Sequence, residues 1–137
     1  MKTMPTTHRH RIIADERGQT ATEFALVLPI FCLVLFGIIQ FGIIFNNYVT
    51  LTDAVRAGAR TAVVSRQEDD PAGTAVARVE SAANGLDLAE LDVAVNAPVW
   101  EHGEDVTVEA SYPYEVNLLG LVVAAGRLSS QTTERIE

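Results

Sequence analysis

Apolar positions follow three successive patterns along this chain. From Phe24 to Phe45 they are nearly continuous: 22 residues carry no charge, and Gln40 is the one strongly polar side chain among them. From Tyr48 the run opens into helical spacing. Leu51, Val55, Ala59, Ala62 and Val63 recur at three- and four-residue steps, with Asp53, Arg56 and Arg60 between them. The two patterns join into one long helix, predicted over 20–65, whose distal half is amphipathic. After Ser65 the polar run Arg66-Gln67-Glu68-Asp69-Asp70 breaks the pattern. Asp70-Pro71 reads as an N-cap followed by proline at the first helical position. Ala75, Val76, Val79, Ala82 and Ala83 then supply one apolar face, and Asn84-Gly85 is a stop, which predicts a short helix over 71–83.

The third pattern is alternation. Leu91, Val93 and Val95 alternate with Asp92, Ala94 and Asn96, and Val106, Val108 and Ala110 with Thr107, Glu109 and Ser111, as half-buried strands do. Asn117 to Gly126 is apolar but too short to cross a bilayer. It is expected as a buried crossover, or as a patch resting on the membrane or on a partner. Arg127 to Arg135 reads as a polar edge strand. The predicted class is therefore α+β: a long N-terminal transmembrane and amphipathic helix, a short helix, and a small antiparallel sheet of about three strands.

At 1.5 Å per residue the uncharged segment is about 33 Å long, enough for a hydrocarbon core of roughly 30 Å. Secretory signal peptides have apolar cores of about 7–15 residues with a small-residue cleavage site close behind. Here the core is longer, and Ala57-Gly58-Ala59 lies 12 residues beyond Phe45, so removal on the far side is disfavoured. Pro29 has no amide hydrogen, which leaves the Ala25 carbonyl without its helical donor and predicts a kink; the alternative is a proline simply tolerated in a membrane helix. Gly37 and Gly42 permit close approach of another backbone, but their spacing is not that of the common dimerisation motif.

Composition and charge refine this outline. All five phenylalanines lie in the apolar segment, whereas the distal part keeps Trp100, Tyr112 and Tyr114, with Tyr48 at the boundary. Its core is therefore expected to be aliphatic and small, and to lean on the stem helix or on neighbouring subunits. Residues 1–18 carry four basic side chains against two acidic ones, and the remainder carries six arginines against 16 acids. A basic flank before a span and an acidic one after it orients the N-terminus to the cytoplasm and the C-terminal domain outside it. The acidity also argues against nucleic acid as a partner. The single cysteine, Cys32, sits within the apolar segment and reads as a small hydrophobe.

The junction before the span carries the sharpest chemistry. A cut after Gly18 would leave a protonated amine on Gln19, with Glu23 one turn along at the membrane edge, where a lone carboxylate is costly. An amine on one subunit and the Glu23 carboxylate of its neighbour would attract strongly where water is scarce, setting the register of packed stems. The plainer alternative is that Gly18 punctuates a leader and Glu23 complements the helix N-terminus.

The run Arg17-Gly18-Gln19-Thr20-Ala21-Thr22-Glu23-Phe24-Ala25-Leu26-Val27-Leu28-Pro29 resembles the start of TadE-like proteins, pseudopilins of the tight-adherence (Flp) pilus system. Ala54-Val55-Arg56-Ala57-Gly58-Ala59-Arg60 is similar to that family's second signature, Ala-x-Arg-x-Gly-Ala-Arg, so that Phe24, Ala54, Arg56, Gly58, Ala59 and Arg60 carry the resemblance together with the junction. It covers residues 16–66 closely. Further on, Val106 to Tyr114 and the closing Arg135-Ile136-Glu137 resemble the family in style alone. The resemblance implies processing after Gly18 by a prepilin peptidase. It also implies partnership with other pilin-like subunits and the pilus assembly machinery, and a minor, pilin-like role in assembling adhesive pili. Gln19 departs from the phenylalanine that major type IV pilins place first, which leaves amine methylation open. A TadF-like pseudopilin is the alternative identity that the resemblance leaves open.

The expected organisation is a cytoplasmic basic leader over 1–18, a stem helix with its amphipathic continuation over 19–66, and a small extracytoplasmic α+β domain over 67–137. The alternative is an uncleaved single-pass anchor whose acidic outer domain binds an envelope partner. No catalytic constellation, cofactor motif or small-molecule site is read from the chain, and an enzyme is not expected. His8 and His10 fall in the leader. His102 falls in Glu101-His102-Gly103-Glu104-Asp105, which reads as a solvated hairpin loop rather than a metal site.

Overall fold

The computed structural model describes residues 16–118 and 120–137, with side chains from Gly18 onward. Most of the expected basic leader, including Lys2, Arg9 and Arg11, lies outside the described residues. The elements are α1 (Glu16–Val64), α2 (Pro71–Ala82), β1 (Asp92–Asn96), β2 (Asp105–Leu118) and β3 (Leu121–Arg135). The strands form one antiparallel sheet in the order β1-β2-β3. This is the expected α+β class. The chain divides into two compact units, Met1–Val34 and Leu35–Glu137.

In the first unit, α1 runs through Pro29 as unbroken helix. Its side chains from Phe24 to Val34 are exposed, save the half-buried Cys32. Among the described residues, Gly18–Val64 is the one helix long and apolar enough to cross a membrane, with a mean hydropathy of 2.6 in a window none of which is buried.

The second unit holds the core. Leu51, Ala54, Val55, Ala59 and Ala62 from α1 meet Ala75, Val79 and Ala83 around α2, Leu86 beyond it, Val106, Val108 and Ala110 of β2, and Ile136. No aromatic ring is fully buried there. Trp100 and Tyr112 pack at its margin, as the placement of the aromatics implies. The helical spacing from Leu51 to Ala62 is thus the stripe that the small domain closes upon, and the domain core includes the distal part of α1.

Local chemistry fixes the shorter elements. The Asp70 carboxylate accepts from the Gly73 amide at 2.9 Å and Pro71 follows it, which starts α2 as expected. At the other end the Ala83 amide bonds the Val79 carbonyl at 2.9 Å, and Gly85 takes a φ of 88° that favours glycine. Val93 and Val95 are half-buried while Val106, Val108 and Ala110 are buried, following the alternation.

The expectation for residues 117–126 changes form. They are not a crossover: β2 continues to Leu118, turns through Gly120 at φ 89°, and returns as β3 from Leu121. Because β1 pairs only with Thr107 to Ser111, the hairpin beyond Ser111 is a two-stranded ribbon. Pro113 is tolerated there because β2 has lost one neighbour. The Tyr114 ring lies over its cross-strand partner Gly126, where a Cβ would stand 2.9 Å from the ring. Arg127 reaches across β2, ion-pairing with Asp92 and donating to Ser111 Oγ through Nε at 3.2 Å. The pair is solvent-exposed, so Arg127→Ala is expected to cost less than about 1 kcal/mol in urea unfolding.

Candidate functional site

Gly18 and Gln19 lie in the first turns of α1 and are exposed, as is Glu23. The Thr22 hydroxyl donates to the Gly18 carbonyl at 2.9 Å, and Gln19 Nε2 donates to Glu23 Oε1 at 3.1 Å. The structure therefore brings Gln19 and Glu23 together within one chain, through the glutamine side chain. A peptidase acting after Gly18 would have to open this first turn, which helix termini allow more readily than helix centres. Phe24 is exposed next to Glu23, on the apolar stretch.

The second motif has a clear division of labour. Ala54, Gly58 and Ala59 are buried, while Arg56 and Arg60 point to solvent. Arg56 meets Asp53 at 3.4 Å on the surface. Ala54 and Gly58 are one turn apart on the same face. At Gly58 the helices are so close that an added Cβ would strike the Val79 side chain, stand 3.3 Å from the Ala75 carbonyl oxygen and 3.6 Å from Val108 Cγ1. Small residues here are a packing requirement: they let α1 contact both α2 and the sheet. Gly37 and Gly42, by contrast, have open space around them.

Three features escape sequence reasoning. Ile136 is fully buried, because its amide donates to the Glu104 carbonyl at 2.8 Å and its carbonyl accepts from the Gly103 amide at 2.8 Å. Arg135 Nε adds a bond to the Gly103 carbonyl at 2.9 Å. The acidic loop is thereby clipped to the end of the chain, and among the described residues no His, Cys, Asp and Glu side chains gather into a metal-holding set. The third is Gln40. Its Nε2 donates to the Asn117 carbonyl at 3.1 Å, so the polar exception in the apolar segment is occupied by the hairpin.

The model of the TadE-like protein family matches residues 18–60, the stretch that holds both motifs. No curated protein matches the chain, and no solved structure does.

Proposed function

We propose that a chain whose residues 18–60 are TadE-like serves as a pseudopilin: a single-pass subunit that helps assemble Flp-type pili and has no catalysis of its own. The observation that carries this reading is the coincidence of limits. The family match starts at Gly18, where the exposed first turn of α1 leads into the one membrane-length helix among the described residues, and it ends at Arg60, the last residue of the packed second motif. On this reading a prepilin peptidase cuts after Gly18 on the cytoplasmic side. Glu23 then pairs with the new amine of a neighbouring subunit, and the helix remains as the anchor with residues 67–137 outside. The basic leader and acidic remainder support that orientation.

Intact mass of the membrane-extracted protein is the direct test. In cells with an active prepilin peptidase the mature chain is expected to begin at Gln19, and a full-length chain there overturns the reading in favour of an uncleaved anchor. Gly18→Val separates the two independently. A pseudopilin accumulates as precursor and loses assembly, whereas an uncleaved anchor is unaffected.

A further inference from the structure

We propose that the tip of the β2–β3 hairpin, with Val116 to Leu118 on one strand and Leu121 to Ala125 on the other, is a second membrane contact that dips into the acyl chains of the leaflet next to the folded domain. The inference rests on the reading of α1 as a membrane anchor. Two register points fix the hairpin against the helix. Val108 lies beside Gly58, and Asn117 is bonded to Gln40. Eighteen helical residues rise about 27 Å and nine strand residues about 30 Å, so β2 runs antiparallel along α1 and its tip points back toward the apolar segment. Gln40 is five residues short of Phe45, which places Asn117 about 7 Å inside the end of that segment. Gly120 and Leu121 lie a little deeper, near the 5–10 Å reached by interfacial elements.

The chemistry of the tip suits that depth. Between Glu115 and Arg127 there is no charge. Leu121, Val122 and Val123 are 72%, 55% and 56% exposed, so the protein itself does not cover them. Two polar backbone groups at the turn have partners: the Asn117 carbonyl takes the Gln40 amide, and Asn117 Oδ1 takes the Gly120 amide at 2.9 Å. Such groups are costly in hydrocarbon when unpaired. Tyr114 stands about 10 Å up the strand from Asn117, and Tyr48 about 12 Å up the helix from Gln40. Two tyrosines at one level mark the interface where their rings are favoured. Apart from the Asn117 carbonyl, the described edges of the ribbon pair with no further strand, which confines the tip to the shallow part of the leaflet. Lipid is favoured over a second protein because the tip and the uncharged helix share one depth and one apolar character.

The test uses the full chain, with Cys32→Ala, reconstituted in phosphatidylcholine vesicles and spin-labelled at single introduced cysteines. Val122→Cys reports the tip, Ser129→Cys the polar part of the same strand, and Ile30→Cys the stem; all three sites are exposed, so labelling spares the fold. Collisions with oxygen are expected to dominate over those with a nickel chelate at Val122 and Ile30, with the ratio inverted at Ser129. A water-like ratio at Val122 beside a lipid-like one at Ile30 overturns the tip insertion alone. Exclusion of both reagents from Val122 shows a protein cover, a second copy or another subunit, and also overturns it. A water-like ratio at Ile30 removes the membrane anchor itself, and with it this inference.

Discussion

Gly58→Leu is expected to destabilise the folded unit by about 3 kcal/mol, a fall in Tm of roughly 10–20 °C for a unit of this size. Even the first added carbon meets the Val79 side chain and comes within 3.3 Å of the Ala75 carbonyl oxygen, which belongs to a helical backbone and cannot turn aside. Leucine adds three more carbons with the sheet behind them. The change also removes a helix-interior glycine, which by itself favours the helix by about 1 kcal/mol. The clash must exceed that gain for the prediction to hold. Gly42→Leu supplies the control: nothing lies near that position, so the propensity gain stands unopposed and Tm should not fall. The single tryptophan, Trp100, packs at the margin of the core and reports the transition in detergent micelles. A Gly58→Leu melt within two or three degrees of the parent would mean that α1 does not pack against α2 and β2 as described.

That position also shows what could be read from the chain in advance. The stripe from Leu51 to Ala62 was visible because its period matches a helix, and the small residues at Ala54, Gly58 and Ala59 pointed to a close neighbour. Which neighbour was not visible. Val79 and Val108 reach Gly58 only through tertiary packing. Beyond Ser111 the strands run further than the pattern predicts, for a physical reason. Alternation marks a strand with one face on a core, but beyond Ser111 the hairpin leaves the core and its residues no longer need two unlike faces. From sequence, Asn117 to Gly126 thus reads as a separate apolar run instead of the end of one strand and the start of the next. Ile136 is a lone apolar residue in a polar tail, and it is buried because its backbone is clipped to Gly103 and Glu104. The bond from Gln40 to Asn117 joins positions 77 apart, a pairing that no local pattern announces. At the junction the sequence offered the residues Gly18, Gln19 and Glu23, and the structure adds their first contact, a side-chain bond within the turn.

That contact sharpens the second large effect. With Glu23→Ala in the only copy, cells should still cut the chain after Gly18 yet lose most assembled surface pili. An amine at the membrane edge that has lost its carboxylate costs about 3–5 kcal/mol, roughly two to four decades in an association constant. Among the described residues of a single chain, Glu23 accepts from Gln19, and that bond is exposed and weak. Glu23→Gln separates the two roles. Its amide oxygen can still accept from Gln19 and its size is preserved, but it has no charge to offer a neighbouring amine. Loss of pili in both variants, with mature mass retained, assigns the role to the charge. Normal pili with Glu23→Gln and few with Glu23→Ala would assign it to the local bond and the shape of the first turn. Wild-type surface pili in both variants, measured by immunoblot of the sheared fraction, would remove Glu23 from assembly altogether.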